Sequence, residues 1–577
     1  MSTGEPDGSA PVATAPDSTP AEAPTGALVE RCGWSLVWLG VLIVGLDFWG
    51  AWTSWAGATV VAPLLVVAGV AGASAVWWVR TPVTPVVRLT GLVGGLLAVA
   101  VPQGAGIHAR QFYTTDSAAF DQVAARALVH GSDPYTTSMA PASNLLLSPW
   151  QYWSYTVDGG HVAHVSYPAG SFLMEAAAMV LGFHHAVTDW VDLGAWLVTG
   201  VLLYLMLPAA IRWVSVLVLL TPTYTHMFGS GGTDALFLPF LVLAVWRWDR
   251  FAVGRAADLT RWIGPVALGV ACTIKQTPWF CVPFLVIGVW LESRQHDRDP
   301  WRVAAAYLGT VASAFVVINL PFIVWQPSAW ARGSLLPLTQ PLVADGQGVV
   351  TLALHGLTGG VLLPLLTAAG VVALVALLIA YVAWFPRMRR VWLFALPLVL
   401  LLPARSLSSY LLDCFPAALV AAVTVRPAAD GHASPAPPSR RWAAAGVGTA
   451  LAGVAVLVVV AFASAPLHLS VRGFRTTDQG LALNRVTVTV HNGSDRPEHP
   501  HFLVSISGNH PTGFWTTVDG RPVVLGPGST DTVVLVAPHY TWSPTFGSYW
   551  LVEAYTTGPD ALSTSPIQQW KLGTPQS

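Results

Sequence analysis

A chain of 577 residues that is 54% hydrophobic and only 10% charged lies far from the roughly 25% charged composition of a soluble domain, and excludes that class. Its net charge of −1, with no basic run, gives no footing for a nucleic-acid partner. Its four cysteines, at 32, 272, 281 and 414, lie in or beside apolar runs without C-x-x-C spacing, and read as small membrane-buried residues rather than metal ligands or disulfides.

Residues 1–27 are rich in Pro, Ala, Thr, Ser and Gly and lack the basic start and apolar core of a signal peptide, so a disordered cytoplasmic tail is expected over 1–30. Thirteen apolar runs follow, at about 33–50, 57–79, 86–103, 189–207, 211–228, 232–248, 263–275, 278–292, 303–325, 358–384, 391–403, 407–424 and 443–465. Lipid offers backbone groups no partners, so each run is expected to be helical. Residues 31–465 then form a polytopic α-helical membrane domain of about 13 spans. With the N-terminus in the cytoplasm, the loops around Arg80 and Arg88, Arg212, Arg250 and Arg255, Arg298, Arg389 and Arg440 fall inside. The outer loops hold only Arg110, Arg126, Arg332 and Arg405, with Lys275 near a turn. Counting "YPAGSFLMEAAAMVLGF" (167–183) as a span would reverse that bias. It reads instead as a helix in, or dipping into, the outer interface, which suits Glu175.

Two outer loops, 104–188 and 326–357, and an outer tail, 466–577, follow from this topology in a plasma membrane. The tail alternates short strand-like runs, "RVTVTVHN", "HFLVSIS", "DTVVLVAP" and "YWLVEAY", with Gly, Pro, Asn and Asp turns, which predicts an extracytoplasmic β-sandwich. Trp515, Tyr540, Trp542, Phe546, Trp550 and Trp570 in it are either core aromatics and a lid on the membrane domain, or stacking faces for a glycan.

Polar groups that a membrane makes expensive are the functional candidates. They gather at outer ends: Asp116 and Asp121; His161 and His164; Tyr167; Asp234; Lys275 and Gln276; Asp345 and Gln347; Arg405, Tyr410 and Asp413. Runs 263–275 and 278–292 are each about 20 Å long, short for a core of about 30 Å. Their Lys275–Pro278 turn is thus expected below the outer surface, where Lys275 either lines a wet or anionic cavity, suited to a phosphate, or snorkels. In "TTDSAAFDQVAARALVHG", Thr115 and Asp116 have N-cap chemistry and Gly131 is a stop. Spacing alone leaves Asp116 either as the cap of an amphipathic interfacial helix or as a functional acid. Asp121 is expected on the solvated face of that helix, and Asp133, before Pro134, in a turn.

These segments resemble a known pattern. "DSAAFDQVAARALVHGSDPY" is similar to the first outer-loop signature of GT-C glycosyltransferases, particularly glycosyltransferase family 87, through Asp116, Phe120, Ala124, Leu128, Gly131, Pro134 and Tyr135. Tyr167-Pro168 resembles the family's following Tyr-Pro helix, "IKQTPWFCVPFL" its Lys-x-x-Pro hairpin, and the Arg405 loop its late outer loop. The resemblance covers about residues 104–425. Phe120 stands where the family has Tyr, Ala169 where it often has a second Pro, and "GSGGTD" where it has a Gly-Gln motif.

The family includes polyprenol-phosphate-mannose-dependent mannosyltransferases of actinobacterial envelopes. The resemblance therefore implies a GT-C fold and a membrane glycosyltransferase. It would move a mannose- or arabinose-class sugar from a polyprenyl-phosphate donor to an envelope glycan or glycolipid hydroxyl on the outer face, with inversion. It implies Asp116 as general base, Lys275 and Arg405 as donor-phosphate ligands, and His161, His164, Tyr167, Asp234, Gln276 and Tyr410 as further substrate contacts. No cofactor is inferred, and dependence on a divalent metal stays open. The competing readings are a transporter or flippase of a lipid-linked envelope precursor, and a non-catalytic envelope assembly protein. A transporter would place polar groups on both sides, whereas these gather on one.

Overall fold

The structure, a computed structural model, describes residues 24–51, 57–78, 83–229, 233–254, 258–426, 440–477, 482–506, 510–538, 544 and 547–569. Residues 1–23 of the tail expected over 1–30, with Arg80, Arg255, Tyr540, Trp542, Phe546 and Trp570, lie outside the described residues; residues 24–30 instead open helix Pro24–Ala51, where Glu30 pairs with Arg88 at 2.7 Å.

Among the described residues, seven helices are long and apolar enough to cross a membrane: Gly26–Gly50, Ala58–Trp78, Pro85–Ala109, Val187–Met206, Pro300–Trp325, Leu363–Ala383 and Arg440–Ala463. They leave large apolar side chains bare, among them Leu64, Val67, Val317, Val324 and Val459. Water does not tolerate apolar stripes of that extent, and lipid does. This is a membrane-embedded chain.

The other six runs are not single long helices. They break into shorter ones, including Trp213–Leu220, Pro222–Gly229, Leu238–Val245, Ile263–Ile274, Cys281–Gln295, Trp392–Leu400 and Cys414–Thr424. At about 1.5 Å per residue none of these crosses a 30 Å core alone. Proline at helix starts, as at Pro222 and Pro239, accounts for part of the breakage. The short pieces are shielded by the long ones: Leu241, Val242, Leu268, Phe284 and Trp392 are fully buried, and the Phe284 and Trp392 rings stack at 4.5 Å. Among the described residues the thirteen apolar runs thus appear as seven long helices packed around shorter segments.

One end of this bundle is tied by a buried ion cluster. Arg389 reaches Glu292 at 2.9 Å and Asp249 at 3.5 Å, against the Trp248 and Phe385 rings. At the opposite end lie helices Asp116–Val129, Gly170–Val180 and Pro327–Thr339. Edge-to-face contacts of Tyr135 with Phe172 and Phe322 form their core. Gly170–Val180 has 11 residues, too short to span, as expected of 167–183; its Glu175, however, is buried rather than interfacial.

The strands are β1 (Asp345–Gly346), β2 (Gly360–Leu362), β3 (Arg405–Ser406), β4 (Leu467–Thr476), β5 (Leu483–Asn492), β6 (His501–Ile506), β7 (His510–Thr517), β8 (Thr530–Val536), β9 (Tyr549–Thr556), β10 (Ala561–Thr564) and β11 (Gln568–Gln569). β1 and β3 pair in parallel. The rest form one sheet path, β2-β10-β9-β6-β7-β8-β5-β4, with β11 on β9. The path curls around Leu469, Phe474, Val488, Trp515, Val533 and Trp550. The C-terminal region is therefore a β half-barrel on a single continuous sheet path, rather than two separately packed sheets. Strand β7 makes the corner, pairing with β6 over most of its length and with β8 only at Thr516 and Thr517. Trp515 and Trp550 are 3% and 1% exposed, so both are core aromatics and neither offers a face to a glycan.

The sheet does not stop at residue 466. Its edge strand β2 comes from the segment just before helix Leu363–Ala383 and pairs with β10. A second apolar cluster, with Tyr155, Val343, Ala344, Val361, Leu503, Tyr555 and Leu562, seals the β domain onto the loops of the helical part.

Candidate functional site

Asp116 is the first residue of helix Asp116–Val129, and Thr115 occupies the N-cap position without a side-chain cap bond. Asp116 is therefore not the cap. Its Oδ2 accepts a 2.7 Å hydrogen bond from the Ser154 backbone N–H, across 38 residues of chain. A first-turn carboxylate also faces the positive end of the helix dipole.

The expectation for Asp121 is wrong. It is 0% exposed, and every residue from Ala118 to Ala125 is buried. The helix is not amphipathic, because Gly170–Val180 and Val187–Met206 pack around it. Ser171 Oγ donates to Asp121 Oδ1 at 3.1 Å. Burial pushes the Asp121 carboxyl up to about 7, against the pull of Ser171 and Lys275. Glu175, Asp189 and Asp192 are buried nearby, with Arg110 on Asp189 at 3.1 Å. Asp133 does sit in a turn, its Oδ1 accepting from the Tyr135 N–H at 3.0 Å.

Lys275 ends helix Ile263–Ile274 in extended geometry and is buried. Its ammonium pairs with the buried Asp234 and lies 5.3 Å from the centre of the Tyr167 ring and 5.6 Å from that of Tyr410. A buried cation is tolerated when matched in this way, by an acid and two ring faces. Burial pushes the Tyr167 hydroxyl above its ordinary range. Gln276 is spent on structure: its Nε2 donates to the Ser166 carbonyl at 3.1 Å and the Ser334 carbonyl at 2.7 Å.

Arg405 stands on β3, held by the pairing Asp345↔Arg405 and Gly346↔Ser406. Gly346 has φ +102°, and a Cβ there would lie 2.2 Å from the Ser406 carbonyl oxygen, so only glycine permits this close pairing. Arg405 Nη1 donates to Ser154 Oγ at 3.1 Å, and Nη2 lies 3.5 Å from Asp345. Its Nε is buried without a hydrogen-bond partner. Burial works against its charge, but Asp345, Tyr410 and Asp116 outweigh it and strengthen its hold on the proton.

Ser154 is thus the meeting point, with its N–H on Asp116 and its hydroxyl on Arg405. The field of Asp116 reaches both Tyr167 and Arg405. Asp116, Tyr167, Asp234, Lys275, Arg405 and Tyr410 accordingly form one group. His161 is peripheral: exposed, with its ring 5.0 Å from that of Trp153, next to Ser154. His164 is exposed, and its carbonyl accepts from Ser166. Ser154 carried no sequence signal, because it acts partly through its backbone and joins a carboxylate 38 residues away. Asp345 was legible as a polar group at an outer end, but its partner was not.

The group combines a carboxylate with one oxygen fixed, a guanidinium with an uncommitted N–H, and a tyrosine-flanked lysine. Such a set accepts a proton and holds an anion within one patch. Among the described residues no group of three or more His, Cys, Asp or Glu is disposed to hold a metal ion. A hollow lined by Arg247, Phe251, Arg261, Gly264 and Tyr307 lies at the other end of helix Ile263–Ile274, about 16 Å from Lys275. No carboxylate lines it.

No family model matches the chain, and no curated protein matches it. Among solved structures, the alkylpurine DNA glycosylase AlkC of Pseudomonas fluorescens, bound to DNA containing an abasic site analogue, aligns over 66% of this chain and 98% of its own. The TM-score is 0.16 and the identity 10%. A likeness at that level carries no argument about fold or function.

Proposed function

We propose that the chain is an integral membrane glycosyltransferase that moves a sugar from a polyprenyl-phosphate donor to the hydroxyl of an envelope glycan or glycolipid. The observation that carries this reading is the shared Ser154 contact, which sets a carboxylate and a guanidinium side by side at the edge of an apolar bundle. Asp116 Oδ2 is held by Ser154, and Oδ1 is left to take the proton of the acceptor hydroxyl. The hydroxyl oxygen then bonds to the anomeric carbon as the bond from that carbon to the phosphate oxygen breaks, so the lipid phosphate leaves and the anomeric centre inverts. Negative charge grows on the phosphate, and Arg405 stabilises it.

Lys275 plays a different part from Arg405. Its side chain is 7% exposed and already neutralised by Asp234, whereas that of Arg405 is 24% exposed. Arg405 is therefore the cation a lipid phosphate meets first, with Lys275 behind it, beside Tyr167 and Tyr410. On this reading the site and the β domain face outwards, and the N-terminus lies in the cytoplasm.

Purified protein in lipid vesicles, offered radiolabelled polyprenyl-phosphate mannose and polyprenyl-phosphate arabinose with an envelope glycan acceptor, tests this. Transfer from at least one donor is expected. Movement of the lipid across the vesicle without sugar transfer would support the transporter reading instead.

A further inference from the structure

Strand β9 carries two sets of residues on opposite faces, as the two-residue repeat of a strand requires. Trp550, Val552 and Ala554 fill the core of the half-barrel. Leu551, Glu553 and Tyr555 point the other way, as do Leu503 and Ser505 on the neighbouring β6. An outer sheet face is ordinarily wet, but this one is covered: Glu553 is 2% exposed, Ser505 1% and Tyr555 0%. Tyr155, Val343 and Ala344 of the helical part's outer loops cover it.

A glutamate is an expensive choice for such a seam, which an aliphatic residue would fill. Both of its oxygens are engaged. Ser505 Oγ donates to Oε1, and the Tyr555 hydroxyl donates to Oε2 at 2.9 Å. Tyr555 also packs with Ala344 in the same buried cluster. The next residue is Asp345, whose strand pairs with Arg405 and whose carboxylate lies 3.5 Å from its guanidinium. Arg405 in turn bonds Ser154, which bonds Asp116. A continuous chain of contacts therefore runs from the β domain to the candidate base.

We propose that Glu553 and Tyr555 are positioning residues: Glu553, through the Tyr555 hydroxyl, holds Tyr555 in place against Ala344 and so aims Asp345 and Arg405. The β domain is then a working part of the site and not an appended module. The kinetic consequence rests on the glycosyltransferase reading; the structural one does not.

Amide hydrogen exchange on the full-length protein in detergent, comparing wild type with Y555F, E553L and E553Q, tests the structural part. Exchange over 343–347 and 404–407 speeds up by about tenfold in Y555F and E553L. E553Q, which still offers Ser505 and Tyr555 a partner, stays close to wild type. Unchanged exchange in those segments overturns the proposal. So does equal acceleration across β4, β5 and β8, which would mark a merely structural role.

The kinetic arm expects kcat/KM for the donor to fall by about tenfold in Y555F, with kcat itself reduced because Arg405 acts on the leaving phosphate. Faster exchange with an unchanged kcat/KM overturns the link to the site. A wild type that transfers nothing from any donor defeats the glycosyltransferase reading instead, and the exchange result still decides whether the β domain holds Arg405.

Discussion

Asp116, Lys275 and Arg405 were legible because a charge beside apolar runs is costly and therefore conspicuous. Their partners were not: Ser154 is an ordinary serine until the fold sets it against both Asp116 and Arg405. Asp121 was misread because helical spacing says which residues share a face, and not how many faces are covered. At this scale Lys275 and Arg405 are expected to behave differently. K275M leaves Asp234 buried without its counter-charge and is expected to cost about 3–5 kcal/mol, read as a fall in Tm or in folded yield. D234N combined with K275M should recover most of that loss. R405K keeps the charge but loses the planar fork that spans Ser154 and Asp345. Its kcat/KM for the donor is expected to fall by about tenfold, kcat included, with little change in Tm; a K275M protein as stable as wild type would show that the ion pair carries no weight.

Among the elements, the long helices and four strands, β5, β6, β8 and β9, followed from hydropathy and from alternation, as in β5, where Val486, Val488 and Val490 are buried. Strand β2 was not legible, because Gly360–Leu362 lies inside an apolar run that reads as the start of a span. The β1–β3 pair was hidden for a related reason: two residues on each strand, some 60 positions apart, carry no periodicity. G346A tests that pair. The added methyl meets the Ser406 carbonyl, so Arg405 should lose its place and transfer should fall at least about tenfold while the β domain still folds.

The seam under β9 has a pH signature. Burial raises the Glu553 carboxyl to about 7, despite hydrogen bonds from Ser505 and Tyr555, with Asp345 adding to the rise. The folded protein thus keeps a proton that the unfolded chain releases near pH 4–5. Stability from this group is complete below that range and is lost as the pH rises through 7. The Tm of wild type should fall between pH 5 and 8 relative to E553Q, whose amide does not titrate; parallel profiles would contradict this.

As a whole molecule, the chain sets a polar group at one end of an apolar bundle, closes it with a β half-barrel, and ties the other end with Arg389, Asp249 and Glu292. A membrane protein was evident from composition alone; the docking of its β domain was not, since it depends on loops far apart in sequence. The arginine bias predicts an outward β domain: a cysteine introduced at the exposed Asp495 should react with an impermeant maleimide added to intact cells, and labelling only after lysis would reverse the topology. The central claim is that Asp116 takes a proton from an acceptor hydroxyl during sugar transfer. The direct measurement is the transfer rate of D116N beside wild type, with the same donor and acceptor. The account predicts a loss of about 10²–10⁴-fold at unchanged Tm, and a D116N protein that transfers as fast as wild type would contradict it.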